Sequence, residues 1–126
     1  MIEYSHNSRE RGVRGEETAC RHLRRLGYRI VERNWACRLG ELDIVARDGE
    51  TLVIVEVKTR TEGSFGGPEA ALSLRKRQRL IHATRAYLGM TKCELPVRFD
   101  VVTICGGAVR HYRAAFDAGA ACSHGS

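Results

Sequence analysis

Two rhythms of apolar residues divide the chain into elements. From about Gly12 to Leu26 the apolar positions Ala19, Cys20, Leu23 and Leu26 recur at helical spacing, and Gly27 follows in the manner of a C-cap. "YRIVERNW", residues 28–35, then alternates, with Tyr28, Ile30 and Glu32 to one side and Val31 to the other, which predicts a strand. "GELDIVARDGETLVIVEVKTR", residues 40–60, reads as a strand, a tight turn and a second strand. "EGSFGGP", residues 62–68, is a Gly-rich loop without the G-K-[ST] ending of a phosphate-binding loop, and reads equally as a loop beside a site or a plain connector. A long helix is expected from Ala70 or Ser73 to Leu88, with Leu80, Ile81, Thr84, Tyr87 and Leu88 as its apolar stripe. "VRFDVVTIC", residues 97–105, is apolar without a break and predicts a central strand; after Gly106-Gly107, "AVRHYRAAF" adds an edge strand. The order α-β-β-β-α-β(-β) is that of an α/β domain with a mixed sheet, a single domain over residues 12–116 with flexible termini at 1–11 and 117–126.

The hairpin carries charge where an apolar one need not. Asp48-Gly49 is a favoured two-residue turn, because Gly accepts positive φ and Asp tolerates it. With that loop Arg47 pairs with Glu50, Asp43 faces Ile54, and Glu41 faces Glu56. Glu41, Asp43, Val45, Leu52, Ile54, Glu56 and Lys58 then share one face, while Leu42, Ile44, Ala46, Val53, Val55 and Val57 make an apolar face that reads as the main core face. Asp43 and Glu56 become diagonal neighbours, roughly 7–8 Å apart. Carboxylates gathered beside apolar neighbours require a compensating cation, and Mg²⁺ accepts a few carboxylate oxygens while keeping several waters. On the first helix Glu16 points with the apolar stripe, whereas Glu17 lies about 100° away and is expected to be exposed. A buried acid needs a partner, and Glu16 suits one reaching over the sheet or pairing with an arginine.

Charge and composition add a partner class. The chain has 126 residues, suited to one core, and its net charge of +6 rests on 21 Lys and Arg, 18 of them Arg. Arginine's planar fork suits phosphate, so the balance favours a nucleic-acid partner, although a GC-rich coding sequence also enriches Arg. Arg75, Lys76, Arg77 and Arg79 crowd the first turns of the second helix, where basic residues oppose the helix dipole; that favours a phosphate-facing role. No run approaches the ~18 apolar residues of a membrane span, and no apolar signal segment opens the chain, so a cytoplasmic location is expected. Five widely spaced cysteines without a C-x-x-C pair read as reduced thiols rather than as a disulfide framework or zinc site. His22 and His82 are expected on helix surfaces without catalytic roles, and Asp100 is expected to be a paired structural acid.

Asp43 followed by Glu56-x-Lys58 on the next strand, after a helical G-x-x-x-E from Gly12 to Glu16, resembles the PD-(D/E)XK nuclease superfamily of restriction endonucleases and Holliday-junction resolvases. More narrowly, "GEETACRHL", "GELDIVARDG", "VEVKTR" and "RFDVV" resemble the YraN-like family of uncharacterised bacterial proteins, over about residues 12–116. Leu42 stands before Asp43 where the superfamily motif has Pro. The resemblance implies a restriction-endonuclease-like core in which Asp43, Glu56 and the carbonyl of Val57 hold Mg²⁺ or Mn²⁺. It further implies that Lys58 positions or activates the attacking water and that Glu16 is an accessory acid. Lys76 matches a position that touches a backbone phosphate, with Arg75, Arg77, Arg79 and Arg60 as further nucleic-acid contacts. The expected function is metal-dependent hydrolysis of nucleic-acid phosphodiesters, DNA foremost. Its rivals are a non-cutting nucleic-acid-binding module of the same fold and a protein-interaction or assembly factor. A homodimer joined at a sheet edge is compatible with the resemblance but not demanded by the residues.

Overall fold

In the computed structural model residues 2–60 and 72–117 are described, with side chains described from Arg14 onward. Helix α1 (Ile2–Arg25) ends where Gly27 takes φ 91°, and the N–H of Tyr28 returns to the Leu23 carbonyl at 3.0 Å. This is the left-handed stop expected from Gly27. The helix begins at Ile2, not near Gly12, in place of the loose terminus expected up to residue 11. Its early residues lack an apolar period, but once a helix is nucleated each added residue gains a backbone bond at little cost. Strands β1 (Arg29–Cys37), β2 (Gly40–Asp48) and β3 (Thr51–Arg60) follow as an antiparallel meander. Helix α2 (Leu74–Thr91) then carries the chain over the sheet, so that β4 (Val97–Cys105) lies parallel to β3. Strand β5 (Ala108–Phe116) closes the five-stranded mixed sheet as an antiparallel edge, in the order β1-β2-β3-β4-β5. The order of elements and the mixed sheet are those expected. The Gly-rich loop at 62–68, the tail beyond Asp117 and Cys122 lie outside the described residues.

Among the described residues, each face of the sheet is covered by one helix. Ala19, Cys20 and Leu23 of α1 bury Ile44, Ala46, Val53, Val55, Val102 and Ile104. Leu80, Ala83 and Tyr87 of α2 bury Val45, Leu52, Ile54, Phe99 and Val101 on the other side. The described residues form two cores, one on each side of the sheet, not a single main face. Cys20 is buried and Cys37, Cys93 and Cys105 are half-buried, none of the four in a disulfide. No helix among the described residues is long and apolar enough to cross a membrane.

The hairpin register differs from the expected one. Asp48 pairs with Thr51 and Val45 with Ile54, so the two loop residues are Gly49 and Glu50. Gly49 supplies the positive φ of 62°, and Asp48 stays in the strand because its carboxylate accepts bonds from Arg98 and Arg113 at 3.1 and 3.2 Å. Sliding each strand by one residue in opposite senses preserves which side chains share a face, so Asp43 and Glu56 keep a common side while Glu41 no longer faces Glu56. Leu42 is a second correction. It is wholly buried on the α2 side with Trp35, not on the α1 side with Ile44. Strict alternation fails there because the pleat turns at Asp43.

Candidate functional site

Strand β2 parts from β3 just beyond the pair Ile44 and Val55, where their ladder ends. The N–H of Val57 then donates to Asp43 Oδ2 at 2.9 Å. A carboxylate thus takes the bond that a strand carbonyl would accept in a continued ladder, which fixes Asp43 at the mouth of the split. Beside it Glu56 is buried, its side chain 6% exposed. Helix α2 closes the other side. Ser73 caps it by accepting from the Lys76 N–H at 3.2 Å, which sets Lys76 in the first turn with its Nζ 2.8 Å from Glu56 Oε2. Lys58 Nζ stands 3.9 Å from the same oxygen. Asp43, Glu56 and Lys76, together with Glu41, Cys37 and Arg79, line an open cleft of about 440 Å³, and Lys58 reaches toward it through Glu56.

The electrostatics of the cleft follow from crowding. Burial first, and the Asp43 charge second, push the Glu56 carboxyl up from its ordinary 4.5 to about 7, against the pull of Lys76 and Lys58. Burial and the neighbouring Lys76 ammonium push Lys58 down. Burial is the largest single influence on Lys76 and works against its charge, but its bonds to Glu56 and Lys58 and the charges of Glu56 and Asp43 together outweigh it, and Lys76 is pushed up. Glu16, on α1, is raised mainly by burial, with Asp43 and Glu41 adding to it. Its Oε1 accepts from Asn34 Nδ2 at 2.9 Å, with Arg33 at 3.8 Å. Glu17 is exposed as expected and bonds Arg33 at 2.8 Å.

The structure therefore gathers Asp43, Glu56, Lys58, Lys76 and Arg79, and sets Glu16 within electrostatic reach of Asp43. Arg75 is exposed on the first turn of α2, and Arg60 ends β3 beyond Lys58. Arg77 turns away, its guanidinium 5.9 Å above the ring of Phe116. Asn34, Cys37 and Arg33 were not singled out from the sequence; they are neither charged acids nor spaced to any motif of the hairpin. A second polar cluster lies under α1. Asp100, wholly buried, accepts from Arg98 Nε at 2.9 Å and the Ala114 N–H at 3.0 Å, and meets His111 Nε2 at 2.8 Å. Asp100 is a paired acid, as expected. His22 is not a free surface residue: it is half-buried, 3.2 Å from His111 Nδ1. His82 is exposed.

The donor set suits a hard cation. Among the described residues no group of three or more His, Cys, Asp and Glu could hold a metal ion. Two carboxylates at an open cleft match instead the few protein oxygens that Mg²⁺ takes, the remainder coming from water and substrate phosphate. The ammonium of Lys76 marks where positive charge is favoured.

The profile of the uncharacterised protein family UPF0102 matches residues 15–104. A UPF0102 protein of Geobacter sulfurreducens is 49% identical over 105 residues, covering 81% of this chain and 80% of the relative. One from Pseudomonas aeruginosa is 46% identical over 100 residues, covering 78% and 80%. One from Thermodesulfovibrio yellowstonii is 42% identical over 107 residues, covering 85% and 96%.

Proposed function

The chain belongs to the uncharacterised protein family UPF0102, and from the geometry of its cleft we propose that it is a metal-dependent nuclease hydrolysing phosphodiesters, with DNA as the foremost substrate. The observation that carries the reading is Glu56: a buried acid beside a second carboxylate, flanked by two lysines at the mouth of an open cleft. A structural acid would gain from one close partner and no like charge. This one is opposed by Asp43 and raised to about 7, an arrangement suited to a cation that arrives from solution.

Asp43, Glu56 and the Val57 carbonyl would hold Mg²⁺ or Mn²⁺. Such an ion lowers the pKa of water and draws charge from phosphate oxygens. Lys58, its charged form disfavoured by burial and by Lys76, is suited to orient the attacking water and take up its proton. Lys76 is bound to Glu56, and with a divalent cation holding that acid its ammonium would be available to a phosphate oxygen. Arg79 on the cleft wall and Arg75 nearby supply guanidinium donors to the same backbone.

The test is cleavage of labelled single-stranded, duplex, flap and four-way-junction DNA and RNA with Mg²⁺ or Mn²⁺, comparing wild type, Glu56→Gln and Lys58→Ala after each is checked for folding. Metal-dependent cutting lost in both variants is the expected result. Salt-sensitive binding without cutting would make the protein a binding module. Neither cutting nor binding would leave the acids to an assembly role.

A further inference from the structure

Asn34 stands in the left-handed backbone region, φ 54°, in the middle of β1. The ladder brackets it: Arg33 lies opposite Ile44 and Trp35 opposite Leu42, which sets Asn34 against Asp43. Arg33 and Ile44 belong to the α1 side, the first bonding Glu17 and the second buried under α1. Trp35 and Leu42 both belong to the α2 side. Regular alternation would send Arg33 and Trp35 the same way. The two strands therefore exchange faces at one step, and the residue with positive φ is the one that turns the pleat.

That step serves two acids, Asp43 of the cleft and Glu16 on α1. Across the ladder, Asp43 is turned out of both cores and toward the Val57 N–H. On β1 itself the Asn34 amide donates to Glu16 Oε1 at 2.9 Å. Arg33 makes its close bond, 2.8 Å, to Glu17 and stays 3.8 Å from Glu16. Glu16 is thus fixed by a neutral donor, which sets its direction without cancelling its charge. Both contacts fall on Oε1, so neither claims its second oxygen.

We propose that Asn34 is a positioning residue of the acidic site: its backbone turn sets Asp43, a carboxylate that would hold the divalent cation, and its amide aims Glu16, an accessory acid whose charge adds to the field at that cation. This rests on the metal-dependent reading above. The residue type fits both duties, because Asn tolerates the left-handed region better than other side chains and carries the amide that Gly lacks.

The choice of substitution separates the duties. Asn34→Gly keeps the backbone turn at no steric cost and removes only the amide; Asn34→Ala removes the amide and strains the turn. Mn²⁺ affinity is measured by electron paramagnetic resonance for wild type, both variants, Glu16→Gln and the Asn34→Gly/Glu16→Gln double variant, with thermal unfolding and cleavage alongside. Supporting-residue losses at metal sites run to about 10–100-fold, so Asn34→Gly is expected to weaken Mn²⁺ binding about ten-fold with thermal unfolding nearly unchanged. The double variant is expected to bind no worse than Glu16→Gln alone, the signature of two residues acting as one. Unchanged Mn²⁺ affinity in Asn34→Gly or in Glu16→Gln, with the wild type binding, overturns this inference alone. A wild type that binds no Mn²⁺ overturns the metal-dependent reading and the inference together.

Discussion

Replacing Glu56 by Gln should make the metal-free protein more stable at pH 8 relative to wild type than at pH 4. The Glu56 carboxyl is raised from 4.5 to about 7 by burial and by Asp43. A group raised in the fold contributes stability that is fully present below its unfolded value and is lost as pH rises through its folded value. Here the loss runs between about pH 4.5 and pH 7. At about 1.4 kcal/mol per pH unit it amounts to about 3 kcal/mol. Gln resembles the neutral acid, occupies the same volume and does not ionise, so the variant keeps what the wild type loses. For a chain of this size the expected gap is roughly 10 °C in melting temperature at pH 8. Comparing the two proteins at pH 4 and pH 8 removes any constant cost of the amide. The assay is urea or thermal unfolding of both across that range with divalent ions chelated, followed by Mg²⁺ addition at pH 8. Saturating Mg²⁺ should stabilise the wild type and not the variant, since only a ligand bound to the folded state shifts the equilibrium. A variant-minus-wild-type difference that is the same at pH 4 and pH 8 would refute the claim that burial and Asp43 outweigh the two lysines at Glu56.

Other substitutions test separate parts of the reasoning. Asp100→Asn should cost about 3 kcal/mol, because Arg98 and His111 lose a buried anion; urea unfolding at pH 7 measures it. Burial alone would raise the Asp100 pKa, but bonds from His111, Arg98 and the Ala114 N–H hold it below its ordinary 3.8. Its contribution is therefore present above pH 3.8 and fades as pH falls through the folded value, so the cost of Asp100→Asn should shrink in acid. At Gly15, α1 lies so close to β3 that an added Cβ would meet Thr59 Oγ1 at 2.6 Å. Gly15→Ala should lose about 1–3 kcal/mol and recover on adding Thr59→Ala, which removes the colliding oxygen. If Arg75 and Arg79 each neutralise one duplex phosphate, removing both should lessen the slope of log K against log salt by about 1.8. An unchanged slope would take them out of the nucleic-acid contact.

Much of this was legible in the sequence, for reasons that also mark the limits. Two rhythms of apolar residues fixed the element order, since period 3.6 and period 2 bury different faces. The common side of Asp43 and Glu56 survived an error in hairpin register because the slip preserved alternation; the same alternation misplaced Leu42. A reading by period has no means to foresee a left-handed Asn34, whose turn moves Trp35 and Leu42 to the other core. Lys76 was expected to face phosphate, but its bond to Glu56 joins residues far apart in the chain and depends on where α2 docks. The pairing of His22 with His111 is of the same kind. The acids were visible because they share one hairpin; their partners come from other elements.

The crossover between β3 and β4 also governs the order in which the site is assembled. Asp43 and Glu56 belong to neighbouring strands joined by a two-residue turn, which close quickly. Lys76 arrives on α2 within a far longer connection, and the parallel β3–β4 ladder forms only once that loop is closed. During refolding the two carboxylates would thus meet before the lysine that eases them, and protonation would relieve the interval. The refolding rate of the wild type should fall as pH rises and these carboxylates ionise, while that of Glu56→Gln should depend on pH less. Stopped-flow refolding would show whether the cleft's charge, besides shaping its chemistry, sets the pace at which the chain reaches its fold.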